Sequence, residues 1–279
     1  MSPDGSRMDL NARPTTRAPG RPVPFRGNGF RPGVSRATGA AVLIVLLLLI
    51  ELGTRTGVIS SLTLPRPSDV GATLVRLHST GLLYDHLWPS LGRLAMGSAL
   101  GVLAGIAVGT MMGLFTLARA GLVPLVAAIF PIPKIALLPL FVIWFGIGEG
   151  SKYALIALGT FTPTVVATYG AVDNVDRTLI RMGQSFGLPW HHIVAKIVLP
   201  GALPGILSGL RVSLAIGIIL LVAAEMLGAT FGIGAYILEA GALYDLERLF
   251  AGVFILSVLG VLTSSAIGWL EGRLLAWRS

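Results

Sequence analysis

The sequence contains no cysteine and few charged side chains. The absence of cysteine among 279 residues excludes disulfides, thiolate metal sites and a thiol nucleophile. Asp, Glu, Lys and Arg make up only 12% of the residues, about half the share in a soluble protein, while 54% are apolar. The mean hydropathy of +0.81 excludes disorder over most of the length. An integral membrane protein is the class that remains.

Motifs for nucleotide hydrolysis and metal binding are lacking as well. The chain has no HExxH pattern and no GxxxxGK[ST] phosphate-binding loop, so it has no site of its own for ATP hydrolysis. The histidines lack metal-ligand spacing; they are His78, His86, His191 and His192. We therefore expect no catalytic residue, no cofactor and no metal site.

The first 36 residues differ in composition from the rest. They contain seven Arg, six Pro and five Gly, which predicts a disordered tail, either solvated or bound to anionic lipid headgroups. The apolar run Ala40–Ile50 follows, and it suits a signal peptide or a first span. Because the preceding region is long and no small-residue cleavage site follows, we predict an uncleaved span over residues 37–53. Residues 37–279 then form one transmembrane domain.

Five more apolar segments follow, each close to the roughly 20 residues that cross a bilayer. They are Gly92–Phe115, Gly121–Phe145, Ser151–Val172, Leu203–Leu227 and Arg248–Leu270. Together with the first span they predict an all-α integral membrane protein with about six transmembrane helices. Three spans carry a small residue at every fourth position, which is typical of closely packed membrane helices. These ladders are Gly97–Gly113, Gly201–Gly217 and Gly260–Gly272, with Gly252 in the register of the third.

Basic residues predict the orientation in the membrane. With the amino terminus inside, the inner segments hold 14 Lys and Arg and the outer segments hold six, Arg93 and Lys152 among them. This excess predicts that both termini are cytoplasmic, and that the loop from Asp173 to Pro204 is cytoplasmic too. Seven of the inner residues lie in the tail, so the tail largely decides the orientation.

Ionisable residues are costly within a span, and two of those in the predicted spans stand out. Lys134 follows Pro131 and Pro133, which predict a break in the helix. Opened backbone at membrane depth is tolerated where it lines a wet cavity, so this segment is a candidate for a translocation path. The alternative is a snorkelling or ion-paired lysine. Glu225 either borders the path, contacts a docking protein or forms a structural ion pair.

The predicted cytoplasmic loop has the pattern of two short helices joined by a sharp turn. Asp176 suits the N-cap of the first helix, and Gly187 fits the left-handed position beyond its end. Pro189 suits the first turn of the second helix, and Pro200 predicts that this helix stops near Leu199. The turn exposes an apolar knob, which fits a pocket on a partner protein or the lipid headgroups. The knob consists of Phe186, Leu188 and Trp190.

This loop resembles the EAA loop of binding-protein-dependent ABC importer permeases, whose pattern is E-A-A-x3-G-x9-I-x-L-P. Four residues match at the family's spacing: Gly187, Ile197, Leu199 and Pro200. Residues 181–183 read Arg-Met-Gly where the family has Glu-Ala-Ala, so the acidic anchor for the ATPase is missing. The resemblance covers roughly residues 87–277. Several segments resemble the nitrate, sulfonate and taurine branch: Pro131–Leu140, Trp144–Glu149, Leu188–Trp190, Leu199–Gly205, and Ala224–Met226 followed by Gly232–Gly234.

The resemblance implies a homodimeric permease with the type I importer fold in the bacterial inner membrane. It would import a small anionic solute such as an aliphatic sulfonate, taurine or nitrate. Two copies of a separate ATPase subunit would bind the loop, and an extracytoplasmic solute-binding protein would deliver the solute. The implied ATPase-coupling residues are Phe186, Gly187, Leu188, Trp190, Ile197, Leu199 and Pro200.

Other interpretations of the sequence stay open. Importers of bicarbonate and of thiamine-precursor pyrimidines share the same branch. A stand-alone channel or secondary transporter would use the loop as a hairpin on the lipid surface, and a scaffold would bind lipid through its Arg-rich tail. Nucleic acid is not an expected partner, because the basic residues follow the membrane orientation.

Overall fold

The computed structural model describes residues 36–278, with side chains from 38 to 277. Within that range the chain forms helices and no β-strand. It divides into two compact units, residues 1–49 and residues 50–279. In the first unit the described residues belong to helix α1 (Arg36–Arg55), which continues into the second. The tail predicted for residues 1–36 lies outside the described residues, apart from the first residue of this helix.

The second unit continues with ten further α-helices among the described residues. In chain order they are α2 (Pro67–Ser79), α3 (Leu82–Leu114), α4 (Thr116–Ile129), α5 (Leu138–Phe145), α6 (Glu149–Asp173), α7 (Arg177–Ser185), α8 (Trp190–Ile193), α9 (Leu199–Gly228), α10 (Ile233–Ala242) and α11 (Leu246–Leu274). Lys134–Leu137 and Ala276–Arg278 are 3₁₀ turns, and Val194–Val198 is a π-helical segment between α8 and α9.

Between residues 36 and 278, five helical stretches are long and apolar enough to cross a membrane. A sixth candidate consists of α4 and the segment Lys134–Phe145, which meet at a bend of 90°. The predicted all-α fold with about six spans is therefore confirmed, including the break at the two prolines. The helices are longer than predicted, because α3 already starts at Leu82 and continues through Pro89.

Glycine ladders bring α3, α6 and α9 together, as their spacing predicts. A methyl group on Gly101 of α3 would lie 2.2 Å from the carbonyl oxygen of Ala157 in α6. A methyl group on Gly209 of α9 would likewise lie 2.1 Å from the Ala167 side chain of α6. Glycine at these positions is what allows the backbones to approach so closely.

The third ladder, on α11, behaves differently from the other two. Added methyl groups on Gly260 and Gly272 would meet no atom within 4 Å in the described part of the chain. Gly268 would come no closer than 3.9 Å to Arg211. Gly252, in the same register, does make a close contact, because a methyl group there would lie 2.5 Å from the Ile237 side chain. Small residues at helical spacing thus predicted the close contacts of α3 and α9, but on α11 only the Gly252 end of the ladder makes one within the described residues.

The prediction that Pro200 ends the second loop helix is wrong. The chain is helical without interruption from Trp190 to Gly228, and the π-helical segment ends just before Leu199. Proline clashes with the carbonyl four residues earlier in an α-helix, whereas a π-turn bonds five residues back and widens the ring. Pro200 is accommodated in this way in the first turn of α9. Pro189 lies at the N-cap of α8, one position earlier than predicted.

Candidate functional site

The predicted two-helix loop forms a hairpin, which consists of residues 176–200 and is called the α7–α8 hairpin below. Asp176 caps α7, because its carboxylate accepts a hydrogen bond from the Thr178 amide at 2.8 Å. The hydrogen bonds from Thr178 lower the pKa of the Asp176 carboxyl, so the cap is ionised at neutral pH. The predicted start of the hairpin is confirmed.

The turn of the α7–α8 hairpin closes with a Schellman motif. The Leu188 amide donates to the Gly183 carbonyl at 3.1 Å, and the Gly187 amide donates to the Gln184 carbonyl at 2.9 Å. Gly187 has φ +70°, the left-handed conformation that glycine adopts without strain. The sequence therefore predicted both the residue and its backbone conformation.

Gly183 joins the two arms of the α7–α8 hairpin. An added methyl group there would lie 2.9 Å from Ile197 and 3.4 Å from Ile193. The position where the family pattern has its second alanine is thus a packing position, and this explains a small residue there. Arg181 and Met182, the other two departures from the pattern, are exposed.

The tip of the α7–α8 hairpin is an exposed apolar surface. Phe186 is 77% exposed and Trp190 is 68% exposed, while Leu188 is partly covered. A groove of about 680 Å³ runs along the hairpin, and Trp277 also lines it. Four of the predicted coupling residues line it: Phe186, Leu188, Ile197 and Pro200. Trp277 is a contributor that sequence reasoning missed, because its place depends on how the C-terminal turn folds back.

One segment of the α7–α8 hairpin matches a hydrolase pattern by coincidence. Residues 183–187 read Gly-Gln-Ser-Phe-Gly, which has the GxSxG spacing of a nucleophile elbow. Such an elbow needs a strand-to-helix turn that presents the serine to a histidine. Ser185 is instead the last residue of α7, and its hydroxyl donates to the Arg181 carbonyl at 2.9 Å.

The broken span places Lys134 at the end of a helix. Pro131 and Pro133 separate α4 from the 3₁₀ turn, and both prolines are exposed. The Lys134 ammonium donates to the carbonyls of Ile129 and Phe130 at the C-terminus of α4, where the last carbonyls lack partners within the helix. The alternative of an ion-paired lysine has no support among the described residues, where its partners are backbone oxygens.

Glu225 forms an ion pair inside the protein. Its side chain is fully buried and accepts hydrogen bonds from Arg93 at 2.8 Å and from the Ser90 hydroxyl at 2.7 Å. The Gly234 amide donates to its other oxygen at 2.8 Å. Three roles were possible for Glu225 from the sequence, and these contacts correspond to the structural ion pair. They also connect α3, α9 and the start of α10.

Arg93 is the centre of this cluster. It donates to both carboxylate oxygens of Glu149 at 2.7 Å and to the Phe231 carbonyl at 2.6 Å. Lys152 adds a longer contact of 3.3 Å to Glu149. The sequence count treated Arg93 and Lys152 as charges of outer loops, whereas both side chains are buried. The apolar residues around Arg93 and Lys152 in the sequence were the one sign that these side chains are buried.

The loop between α9 and α10 depends on a glycine beside the ion pair. Gly232 has φ +142°, and an added methyl group would lie 2.5 Å from the Glu225 carboxyl carbon and 2.7 Å from Arg93. Its amide donates to His86 at 3.2 Å. The cluster therefore requires a bare backbone at this point.

Comparisons with known proteins agree with this architecture. The chain matches the family described as binding-protein-dependent transport system inner membrane component over residues 97–276. It is 35% identical to a protein of Bacillus subtilis (strain 168) that carries the name aliphatic sulfonates transport permease protein SsuC, over 99% of this chain and 96% of the other. It is 37% identical to the taurine transport system permease protein TauC of Escherichia coli (strain K12), over 78% and 82% of the two chains.

The fold is also similar to that of a solved transporter. A chain of the MetNI methionine ABC transporter, in an inward-facing conformation, superposes with a TM-score of 0.62. The match covers 70% of this chain and 97% of the other at 21% identity. At that identity the likeness concerns the arrangement of the helices.

Proposed function

We propose that this chain imports a small sulfonate. It belongs to the family of binding-protein-dependent transport system inner membrane components and is the permease subunit of an ABC importer. The relatives named for aliphatic sulfonates and for taurine support this substrate class, and the first of them matches the chain over nearly its whole length. Permease subunits are not enzymes, so ATP hydrolysis belongs to a separate ATPase subunit.

The α7–α8 hairpin is the proposed binding site for that ATPase. Phe186 and Trp190 are large and exposed, and such residues are typical anchors of protein interfaces. The groove beside them offers a concave apolar surface for a side chain of the partner. Since the acidic anchor of the family pattern is missing at residues 181–183, we infer that apolar contacts around Gly187 supply most of the binding.

The proposed assembly contains two permease chains, two ATPase subunits and one extracytoplasmic solute-binding protein. Both termini and the α7–α8 hairpin face the cytoplasm in this proposal, following the excess of basic residues on that side. The exposed segment from Pro131 to Lys134 belongs to the proposed translocation path. Glu225 does not contact the solute there, because its side chain is fully buried in the ion pair.

Uptake measurements test the proposed function. Cells without their own sulfonate importers receive this chain, its ATPase and its binding protein, and are supplied with labelled taurine or butanesulfonate. We expect uptake that requires ATP and the binding protein. If only nitrate or only a formylaminopyrimidine is taken up, that compound and not a sulfonate is the substrate. Sulfonate uptake without any ATPase would indicate a secondary transporter.

Co-purification tests the proposed assembly separately. The tagged chain should bring down an ATPase subunit when both are expressed together. The matched variant Phe186→Asp places a charge in the apolar tip and should lose the partner while the chain remains in the membrane. A chain that never binds an ATPase would favour a channel.

A further inference from the structure

A small cavity lies between α5, the start of α6 and the end of α9. Its volume is about 160 Å³, well below the roughly 300–1,000 Å³ of sites for drug-sized ligands, so it admits only a small solute. Four apolar side chains form most of its wall: Leu138, Val142, Ile147 and Leu227. Lys152 is the charged residue that lines it. The cavity is thus apolar with a cation at one side.

Lys152 is buried but has an unused hydrogen-bond donor. Only 4% of the residue is exposed. Its ammonium donates to the Gly148 carbonyl at 3.2 Å and to the Glu149 carboxylate at 3.3 Å. An ammonium carries three donors, so one has no partner among residues 36–278. A buried cation with a donor to spare favours an anionic ligand in the space beside it.

Arg93 explains why Lys152 is available to a ligand. Arg93 holds both oxygens of Glu149 at 2.7 Å, whereas Lys152 reaches one of them at 3.3 Å. Short charge-assisted pairs with two parallel hydrogen bonds are the strong ones. An anion that enters the cavity therefore competes with the weaker contact, and Glu149 keeps both hydrogen bonds from Arg93 when Lys152 turns to the ligand.

We propose that this cavity is a substrate-binding site inside the permease, where Lys152 binds the sulfonate group and the apolar wall holds the short alkyl chain. This inference rests on the proposed function, because it takes a small sulfonate as the transported solute. The contributing ends of α6 and α9 lie at the outer face in the proposed orientation. The solute-binding protein would therefore release its ligand close to this site.

Direct binding to the full-length chain tests the site. The chain is placed in nanodiscs of phosphatidylcholine, which carries no net charge, and titrated calorimetrically with butanesulfonate in the absence of the binding protein. Lys152→Met should weaken binding about tenfold or more, because a hydrogen bond to a charged group is lost. Lys152→Arg should restore most of the affinity. Butanol, with the same chain and no charge, should not bind measurably.

Matched variants separate the cavity from general effects of charge and packing. Arg66→Met removes an exposed cation elsewhere and should leave binding unchanged. Gly228 lines the cavity, and a methyl group there would make only an ordinary contact of 3.7 Å with Ile147. Gly228→Leu should fill the space and exclude butanesulfonate, while Gly228→Ala should still bind it. Equal affinities in Lys152→Met, Gly228→Leu and the unchanged chain would overturn the proposal.

The outcomes also distinguish this inference from the proposed function. Sulfonate uptake by the complete importer together with unaltered binding in Lys152→Met would reject the site and keep the function. Neither uptake nor binding of any sulfonate would reject both. Adding phosphatidylglycerol to the nanodiscs tests a lipid headgroup as occupant, and a lipid that butanesulfonate fails to displace would overturn the inference.

Discussion

Gly187 has a left-handed backbone conformation and also lies in the proposed contact with the ATPase. We predict that Gly187→Asp abolishes ATP-dependent uptake without reducing the amount of protein in the membrane. Asp tolerates the left-handed conformation better than most residues, so the turn forms, but its charge lies among the apolar contacts of the tip. Uptake and the amount of the permease in the membrane are measured on the same cells.

Gly187→Asn is the matched control for that prediction. Asn has nearly the same shape and conformational preference but no charge, so it should retain a substantial part of the uptake. Normal uptake in Gly187→Asp would contradict the docking role of the turn. Equal loss in both variants would show that the bare backbone itself is in contact with the partner.

Arg93 and Glu225 are predicted to differ in their effect on stability. Arg93→Met leaves two carboxylates without their main cation and should lower the free energy of unfolding by about 3–5 kcal/mol. Glu225→Gln keeps the shape, and Arg93 still holds Glu149 at two points, so we expect a smaller loss of about 1–3 kcal/mol. Thermal unfolding in detergent compares the two. A larger loss in Glu225→Gln would contradict the shared role of Arg93.

The residues differ in how far the sequence could predict their roles. Gly187 was predictable because its neighbours along the chain define a helix end. The pair of Arg93 and Glu225 was not, since the partners are 132 residues apart and pair only after α3 and α9 have packed. Pairing over such a distance leaves no local pattern, and charges near the predicted end of a span look like loop residues.

Among the elements, the glycine ladders of α3 and α11 permit a matched test. Gly105 of α3 lies so close to α6 that an added methyl group would approach Thr164 to 2.7 Å, whereas Gly272 of α11 would meet no atom. We predict that Gly105→Leu destabilises the chain by about 1–3 kcal/mol or more through overpacking. Gly272→Leu should leave the unfolding temperature of the single chain unchanged. Equal effects would contradict the packing described for the two ladders.

Prolines show which parts of an element can be predicted. Pro131 and Pro133 predicted the break between α4 and α5 correctly, because two prolines within three residues leave too few backbone donors for a helix. Pro200 misled the prediction, since the preceding π-helical segment accommodates a single proline and the helix continues. Sequence patterns do not reveal such a π-segment, which depends on how α7 packs against Ile193 and Ile197.

For the molecule as a whole, the natural lack of cysteine makes the orientation directly testable. Ser79 and Ser185 are both exposed. In the proposed orientation, Ser79 lies outside the cell between the first two predicted spans, and Ser185 lies in the cytoplasmic α7–α8 hairpin. We predict that a membrane-impermeant maleimide labels Ser79→Cys in intact cells, and labels Ser185→Cys only after permeabilisation. The chain without either substitution is the unlabelled control. The reverse pattern would invert the proposed orientation and remove the α7–α8 hairpin from the cytoplasm.

The uninterrupted helix from Trp190 to Gly228 has a mechanical consequence. At 1.5 Å per residue its 39 residues have a length along the helix of about 58 Å, nearly twice the thickness of the hydrocarbon layer. A tilt of roughly 5° would displace its far end by roughly 5 Å, which exceeds the tolerance of a hydrogen bond. Displacement of the hairpin beside Trp190 is thereby carried along a single run of helix to the carboxylate of Glu225.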